Sequence, residues 1–171
     1  MAHLYQTCFD DYLASGGDLR GLDGAYVADY GSHIHDSTVL YDGIAEALVG
    51  LCRLAKLALV TNKPEALSEL LLTALGVRQH FAVVVGGDTC QTAKPDAEPL
   101  LHAMQAVGAL PVTTLMIGDS PGDIACAHAA GTRVIWCAYG YKSAPGPRAP
   151  NGVAHHPSEL VSAVQRLLAP R

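Results

Sequence analysis

Short apolar runs alternate along this chain with stretches whose apolar positions recur every three to four residues. The runs are Leu57-Ala58-Leu59-Val60, Phe81-Ala82-Val83-Val84-Val85, Thr114-Leu115-Met116-Ile117 and Arg133-Val134-Ile135-Trp136-Cys137. Each is short and, after the leading Thr114 or Arg133 where present, apolar throughout, which predicts a strand buried on both faces. Between them lie helical stripes. Ile44, Ala47, Leu48 and Leu51 share one face, with Asp42 placed to cap. Leu67, Leu70, Leu71 and Ala74 follow Pro64, a residue suited to a first helical turn. Helices are predicted over 97–107 and 121–130, and a last one capped by Ser158 carries Leu160, Val161, Val164, Leu167 and Leu168. Gly76, Gly108 and Gly131 stand where three of these helices should stop. Before Tyr41 the pattern is weaker. Leu4, Tyr5, Cys8, Phe9, Tyr12 and Leu13 predict a helix over 4–13 that ends at Ser15-Gly16-Gly17, and residues 15–40 read as an irregular connector. Ser143 to Asn151, rich in Pro and Ala, reads as a loop.

Strands alternating with helices predict an α/β fold with a doubly wound parallel sheet. In such sheets ligands bind outside the carboxyl ends of the strands. The chemically capable residues fall there: Thr61-Asn62-Lys63 after the first run, Gly86-Gly87-Asp88 after the second and Asp119-Ser120 after the third.

Composition narrows the function. A length of 171 residues, half of them apolar, suits one domain or one with a small appendage. A formal charge of -5 without a Lys/Arg block argues against nucleic acid as the main partner. No run approaches 18 apolar residues, so no membrane partner is expected. The N-terminal residues lack a basic patch followed by an apolar run, so no signal peptide is expected. The five cysteines form no CxxC, and Cys52, Cys126 and Cys137 lie in apolar patterns. They read as buried free thiols of a reducing compartment, with a cytoplasmic location expected. His33, His35, His155 and His156 sit in polar stretches and read as exposed.

Three elements carry the chemistry. Thr61 and Asn62 end a strand beside a helix start, where a hydroxyl and free backbone N–H groups can meet a phosphate. Capping that helix is the equally good alternative. Lys94, on a loop stiffened by Pro95, can neutralise a phosphate or steady a carboxylate. Asp119 and Asp123 sit four residues apart after an apolar strand. Two such acids repel each other, and Mg²⁺ is the hard cation that best explains them.

The order strand-Thr-Asn, loop-Lys-Pro, strand-Gly-Asp-Ser-x-x-Asp resembles the haloacid dehalogenase-like (HAD) phosphatase superfamily, and within it the phosphoglycolate phosphatase group. Leu40-Tyr41-Asp42-Gly43, residues 59–64, Val85-Gly86-Gly87-Asp88, Lys94-Pro95, residues 118–123 and Tyr139-Gly140-Tyr141 carry the likeness. The resemblance implies a Mg²⁺-dependent phosphomonoester hydrolase acting on a small phosphorylated metabolite. It implies that Thr61, Asn62 and Lys94 bind the phosphoryl group, that Asp119 holds Mg²⁺ with Asp123 in support, and that Thr61, Asn62, Lys94 and Asp119 form the catalytic set.

In that family an Asp nucleophile ends the first strand, in an Asp-x-Asp-Gly-Thr segment ahead of a helical cap. The nearest imitation here is Gly21-Leu22-Asp23-Gly24-Ala25, with Gly21 at the nucleophile position and no apolar run before it. The resemblance therefore implies a core (39–171) missing its first strand, with residues 1–38 as a cap remnant and return linker. That strand would lie between the strands ending at Thr61 and Asp119, so its absence leaves either a gap or a direct pairing of those two. The competing function is a non-catalytic phosphate- or Mg²⁺-binding module or regulatory remnant. A nucleotide-binding domain is disfavoured, because no Gly-x-Gly-x-x-Gly or P-loop segment is present.

Overall fold

The structure, a computed structural model, describes residues 10–168. It divides into two compact units, residues 1–38 and 39–171. The first contains α1 (Asp10–Ala14) and α2 (Leu19–Ser32). Residues 4–9 of the helix predicted over 4–13 lie outside the described residues. The connector predicted over 15–40 instead holds α2, a helix of 14 residues. Gly21 and Gly24 dilute its apolar stripe, so periodicity does not reveal it. An Asp18 carboxylate oxygen accepts the Gly21 N–H at 3.1 Å near its start, and Tyr26 and Tyr30 stack one turn apart with ring centroids 5.6 Å apart. The Gly21–Ala25 imitation of a nucleophile segment is thus helical and ends no strand.

The second unit runs α3 (Ile44–Cys52), β1 (Leu57–Val60), α4 (Glu65–Ala74), β2 (Phe81–Val85), α5 (Glu98–Val107), β3 (Leu115–Gly118), α6 (Pro121–Ala129), β4 (Arg133–Cys137), β5 (Gly152–Ala154) and α7 (Leu160–Leu168). Every strand pair is parallel: β1 with β2, β3 with β4, β4 with β5. β4 shows why the sheet needs helices on both faces. Val134 and Trp136 join Leu100, Met104, Met116 and Ile124 in one core, while Ile135 and Cys137 join Ala47, Leu51, Leu160 and Val164 in another. That alternation is the period-two geometry of a strand, here with both faces buried.

Several boundaries differ from the sequence expectations. The cap of α3 is Gly43 in the left-handed region, with φ of 86°, and Asp42 makes no capping hydrogen bond. Ser158 does not cap α7 directly. His156 starts a short 3₁₀ turn, its ring accepting the Ser158 N–H, and α7 follows. β5, only three residues long, was not visible in the pattern. Cys52 is exposed at the end of α3, with its Sγ 3.7 Å from His80 Nδ1, whereas Cys126 and Cys137 are buried free thiols. No described helix is long and apolar enough to cross a membrane.

The five strands do not form one sheet. β1-β2 and β3-β4-β5 are separate, and among the described residues no strand joins β1 to β3. Of the two outcomes expected for a missing central strand, the structure shows the gap.

Candidate active site

Local chemistry shapes the rim before any ligand is considered. Pro64 cannot offer a capping side chain to α4. Asp88, from the turn after β2, supplies the missing acceptor, taking the Glu65 N–H at 2.7 Å. Gly86 and Gly87 allow this approach: a Cβ on Gly86 would lie 2.2 Å from the Glu65 nitrogen, and one on Gly87 2.4 Å from the Asn62 carbonyl oxygen. Asp88→Ala is therefore expected to cost about 1 kcal/mol, the usual worth of a helix cap, read as a lowered urea midpoint.

Asn62 spends both ends of its amide on one residue. Its Nδ2 donates to the Lys94 carbonyl and its Oδ1 accepts the Lys94 N–H, each at 3.0 Å. That pairing fixes the loop, whose Lys94–Pro95 peptide is cis. The Lys94 ammonium then points inward, donating at 2.7 Å to the Val60 carbonyl and at 2.7 Å to Asp123 Oδ1. Both partners of the ion pair are largely buried, with side chains 14% and 6% exposed.

Asp123 is saturated. Its second oxygen accepts from the Asp119 N–H at 3.1 Å, the Ser120 N–H at 2.9 Å and the Ser120 hydroxyl at 2.8 Å. Ser120 in turn caps α6 by accepting the Asp123 N–H. Asp123 is thus both a capping residue and a candidate functional acid, because the capping box is what orients its carboxylate. Asp119 is less enclosed, and one of its oxygens accepts the Tyr141 N–H at 2.9 Å. The Thr61 hydroxyl accepts the Lys63 N–H at 3.2 Å, which leaves its own proton to donate elsewhere.

Tyr139 packs beside the rim. Its ring meets Tyr41 edge-on at 5.5 Å, and burial pushes its phenol far above the ordinary range. It stays protonated at neutral pH and offers no acid–base chemistry there. Burial likewise raises the Cys126 and Cys137 thiols, making them unreactive.

The donor set suits a hard cation only in part. Among the described residues no third acid, His or Cys completes a metal-holding group with Asp119 and Asp123. Asp119 fits a Mg²⁺ ligand in type and exposure, with water completing the octahedron, while Asp123 already spends both oxygens on protein donors.

A sequence profile of the haloacid dehalogenase-like hydrolases matches residues 11–137. The chain belongs to this family. A phosphoglycolate phosphatase of Chromobacterium violaceum is 46% identical over 121 residues, covering 70% of this chain and 54% of the relative. The Escherichia coli K12 phosphoglycolate phosphatase is 37% identical over 133 residues, covering 77% and 53%. Among solved structures, a "predicted phosphoglycolate phosphatase" from Haemophilus somnus superposes with a TM-score of 0.71 at 30% identity, covering 78% of this chain and 60% of that one. A 2-haloacid dehalogenase from Pseudomonas syringae gives 0.67 at 26% identity, covering 76% and 55%. The chain spans about half the length of the curated relatives it matches. Phosphatases of the haloacid dehalogenase-like family are generally Mg²⁺-dependent.

Proposed function

We propose that residues 39–171 are the phosphate- and Mg²⁺-binding part of a cytoplasmic phosphomonoester hydrolase whose substrate is a small phosphorylated acid of the phosphoglycolate type. The substrate class is taken from the relatives' names; the site chemistry is read from this chain. The observation that carries the reading is Lys94. It is a buried ammonium at the strand ends, tied to Val60 and Asp123 through two of its three N–H groups. The third remains for a phosphoryl oxygen. The Thr61 hydroxyl supplies a second donor. Asn62 acts as a positioning residue, because both ends of its amide are spent on Lys94. Mg²⁺, held by Asp119 with Asp123 fixing the turn, would neutralise phosphate charge. Phosphoryl transfer depends mainly on such positioning and charge compensation. In this reading residues 1–38 belong to a substrate-selecting cap.

What the cluster does not offer is a carboxylate free to attack phosphorus. Asp123 is saturated, and Asp119 is the metal ligand. This favours the second reading, a binding module without turnover of its own, for the described chain acting alone. The purified chain is expected to bind inorganic phosphate in the presence of Mg²⁺ yet hydrolyse p-nitrophenyl phosphate at near-background rates. Thr61→Val should weaken phosphate binding by roughly tenfold or more, the usual cost of a hydrogen bond to a charged group. Calorimetric titration reads the first result and a colorimetric assay the second. Robust turnover that disappears in Asp119→Asn would overturn the binding-module reading, and undetectable phosphate binding would overturn both.

A further inference from the structure

Cys52 is the exposed cysteine among the described residues; Cys126 and Cys137 are buried and Cys90 is half-buried. It does not stand alone. Cys52 ends α3, and the short 3₁₀ turn Arg78–His80 ahead of β2 brings a histidine against it across 28 positions. The thiol has two acceptors in reach. Its Sγ lies 3.5 Å from the His80 carbonyl oxygen, to which the S–H can donate, and 3.7 Å from the ring Nδ1. In the tautomer that carries its proton on Nε2, Nδ1 is free to accept. A nucleophile in contact with a base is the unit from which covalent chemistry is built.

The pair sits in a groove of about 460 Å³ at the amino ends of β1 and β2, the far end of that strand pair from Thr61. Arg53, Lys56 and Gln79 line it with Cys52 and His80, and no Asp or Glu does. No described carboxylate forms an ion pair with Arg53 or Lys56, while Arg78, at the start of the 3₁₀ turn, is paired with Glu69. Lys56 makes one long contact, 3.4 Å to the Val107 carbonyl. In a chain of formal charge -5 the groove is thus a cationic spot around a thiol and an imidazole. The carbonyl end of α3 opposes a bare thiolate, so activation falls to His80 and the two cations.

We propose that Cys52 and His80 form a thiol–disulfide exchange site for small acidic disulfides, those whose halves carry free carboxylates. The step needs no oxidant beyond the disulfide itself. His80 Nδ1 takes the proton from Cys52 Sγ. The thiolate attacks one sulfur of the disulfide. That S–S bond breaks as the bond to Cys52 forms, and the departing thiolate recovers the proton from His80. The products are a mixed disulfide on Cys52 and one free thiol. Arg53 and Lys56 hold the carboxylates of the bound half. A metal ion fits less well, because among the described residues no third ligand joins the pair and the neighbouring cations repel it. The inference does not depend on the phosphatase reading.

The test uses the full chain and three disulfides: oxidised glutathione as the acidic one, hydroxyethyl disulfide as the neutral one and cystamine as the cationic one. Peptide mass mapping locates the adducts among the five cysteines. At neutral pH oxidised glutathione should modify Cys52 at least ~10-fold faster than Cys90, reversibly with dithiothreitol, and leave Cys126 and Cys137 untouched. It should outrun cystamine, with hydroxyethyl disulfide between them, and the preference should shrink in high salt and in the Arg53→Ala, Lys56→Ala double variant. His80→Gln should slow exchange by at least ~10-fold at neutral pH. At pH ~10, where an ordinary thiol ionises unaided, variant and parent should converge, which a merely structural histidine would not produce. Unmodified Cys126 and Cys137 report that each variant remains folded. Three results would overturn the proposal: Cys90 reacting as fast as Cys52, a neutral-pH rate unchanged in His80→Gln, or cystamine reacting as fast as oxidised glutathione. The first and last are read on the parent chain, so they decide the matter even where a variant fails to fold.

Discussion

Lys94→Met is expected to destabilise the fold by about 3–5 kcal/mol, the usual consequence of stranding one partner of a buried ion pair. The substitution keeps much of the apolar stem and removes only the ammonium. Asp123, 4% exposed, would then hold a charge with no cation beside it. The Val60 carbonyl would lose its donor as well. Against a typical domain stability of roughly 5–15 kcal/mol this is a large fraction, and urea unfolding should show it as a clear fall in midpoint with little change in slope. A second variant separates charge stranding from lost packing. Asp123→Asn removes the carboxylate charge with little change of shape, so adding it to Lys94→Met should cost much less than the sum of the two single changes. A loss below about 1 kcal/mol for Lys94→Met would mean that the pair is effectively solvated, as surface pairs are.

The order of strands and helices from Tyr41 onward was legible because burial on both faces imposes continuous apolar runs. β1 to β4 appear as such runs, and each observed strand lies within a residue of the expected one. Where burial is weak the pattern falls silent. α2 carries three glycines inside its span, and β5 is too short to show a period. Capping was misread at Asp42 and Ser158 for a different reason. A side chain able to cap can be displaced by a neighbouring backbone conformation, here the left-handed Gly43 and the turn opened by His156.

The site was legible as residue types and hidden as connections. Lys94 and the Asp119–Asp123 pair stood out because each sits at a strand end or on the loop between. Nothing in the spacing says that Lys94 spends its charge on Asp123, 29 positions away, or that Asn62 clamps the Lys94 backbone. Asp88 drew notice only as the end of a strand, yet it caps α4 across 23 positions. Long-range partnerships of this kind come from the sheet, which brings consecutive strand ends side by side.

Two glycines at the rim should therefore respond differently to the same added methyl group. Gly118 ends β3 directly against Asp123, and a Cβ there would lie 2.5 Å from the Asp123 Cβ, Cγ and Oδ2 atoms. Asp123 cannot retreat without giving up Lys94, the Ser120 hydroxyl and two backbone N–H groups. Gly118→Ala should thus cost stability on the scale of core overpacking, about 1–3 kcal/mol, and more if the carboxylate is displaced from its donors. Gly140 faces Asp119, with a Cβ placed 2.2 Å from the Asp119 Cβ and 2.3 Å from Oδ2. No side-chain rotation moves the Asp119 Cβ, so the turn that carries Gly140 must itself shift outward, surrendering the bond from the Tyr141 N–H to Asp119. Gly140→Ala should cost at least about 1 kcal/mol, the net worth of that hydrogen bond, with the shift of the turn added, while displacing the rim around the carboxylate proposed to hold Mg²⁺. The pair of variants separates structural from ligand-binding roles. Urea unfolding should rank Gly118→Ala as the more damaging, and Mg²⁺ titration should show weakened binding in Gly140→Ala under conditions where it remains folded. Equal stability losses would mean that the turn at Gly140 is held as firmly as the Asp123 carboxylate, and unchanged Mg²⁺ affinity in Gly140→Ala would remove Asp119 from the metal site.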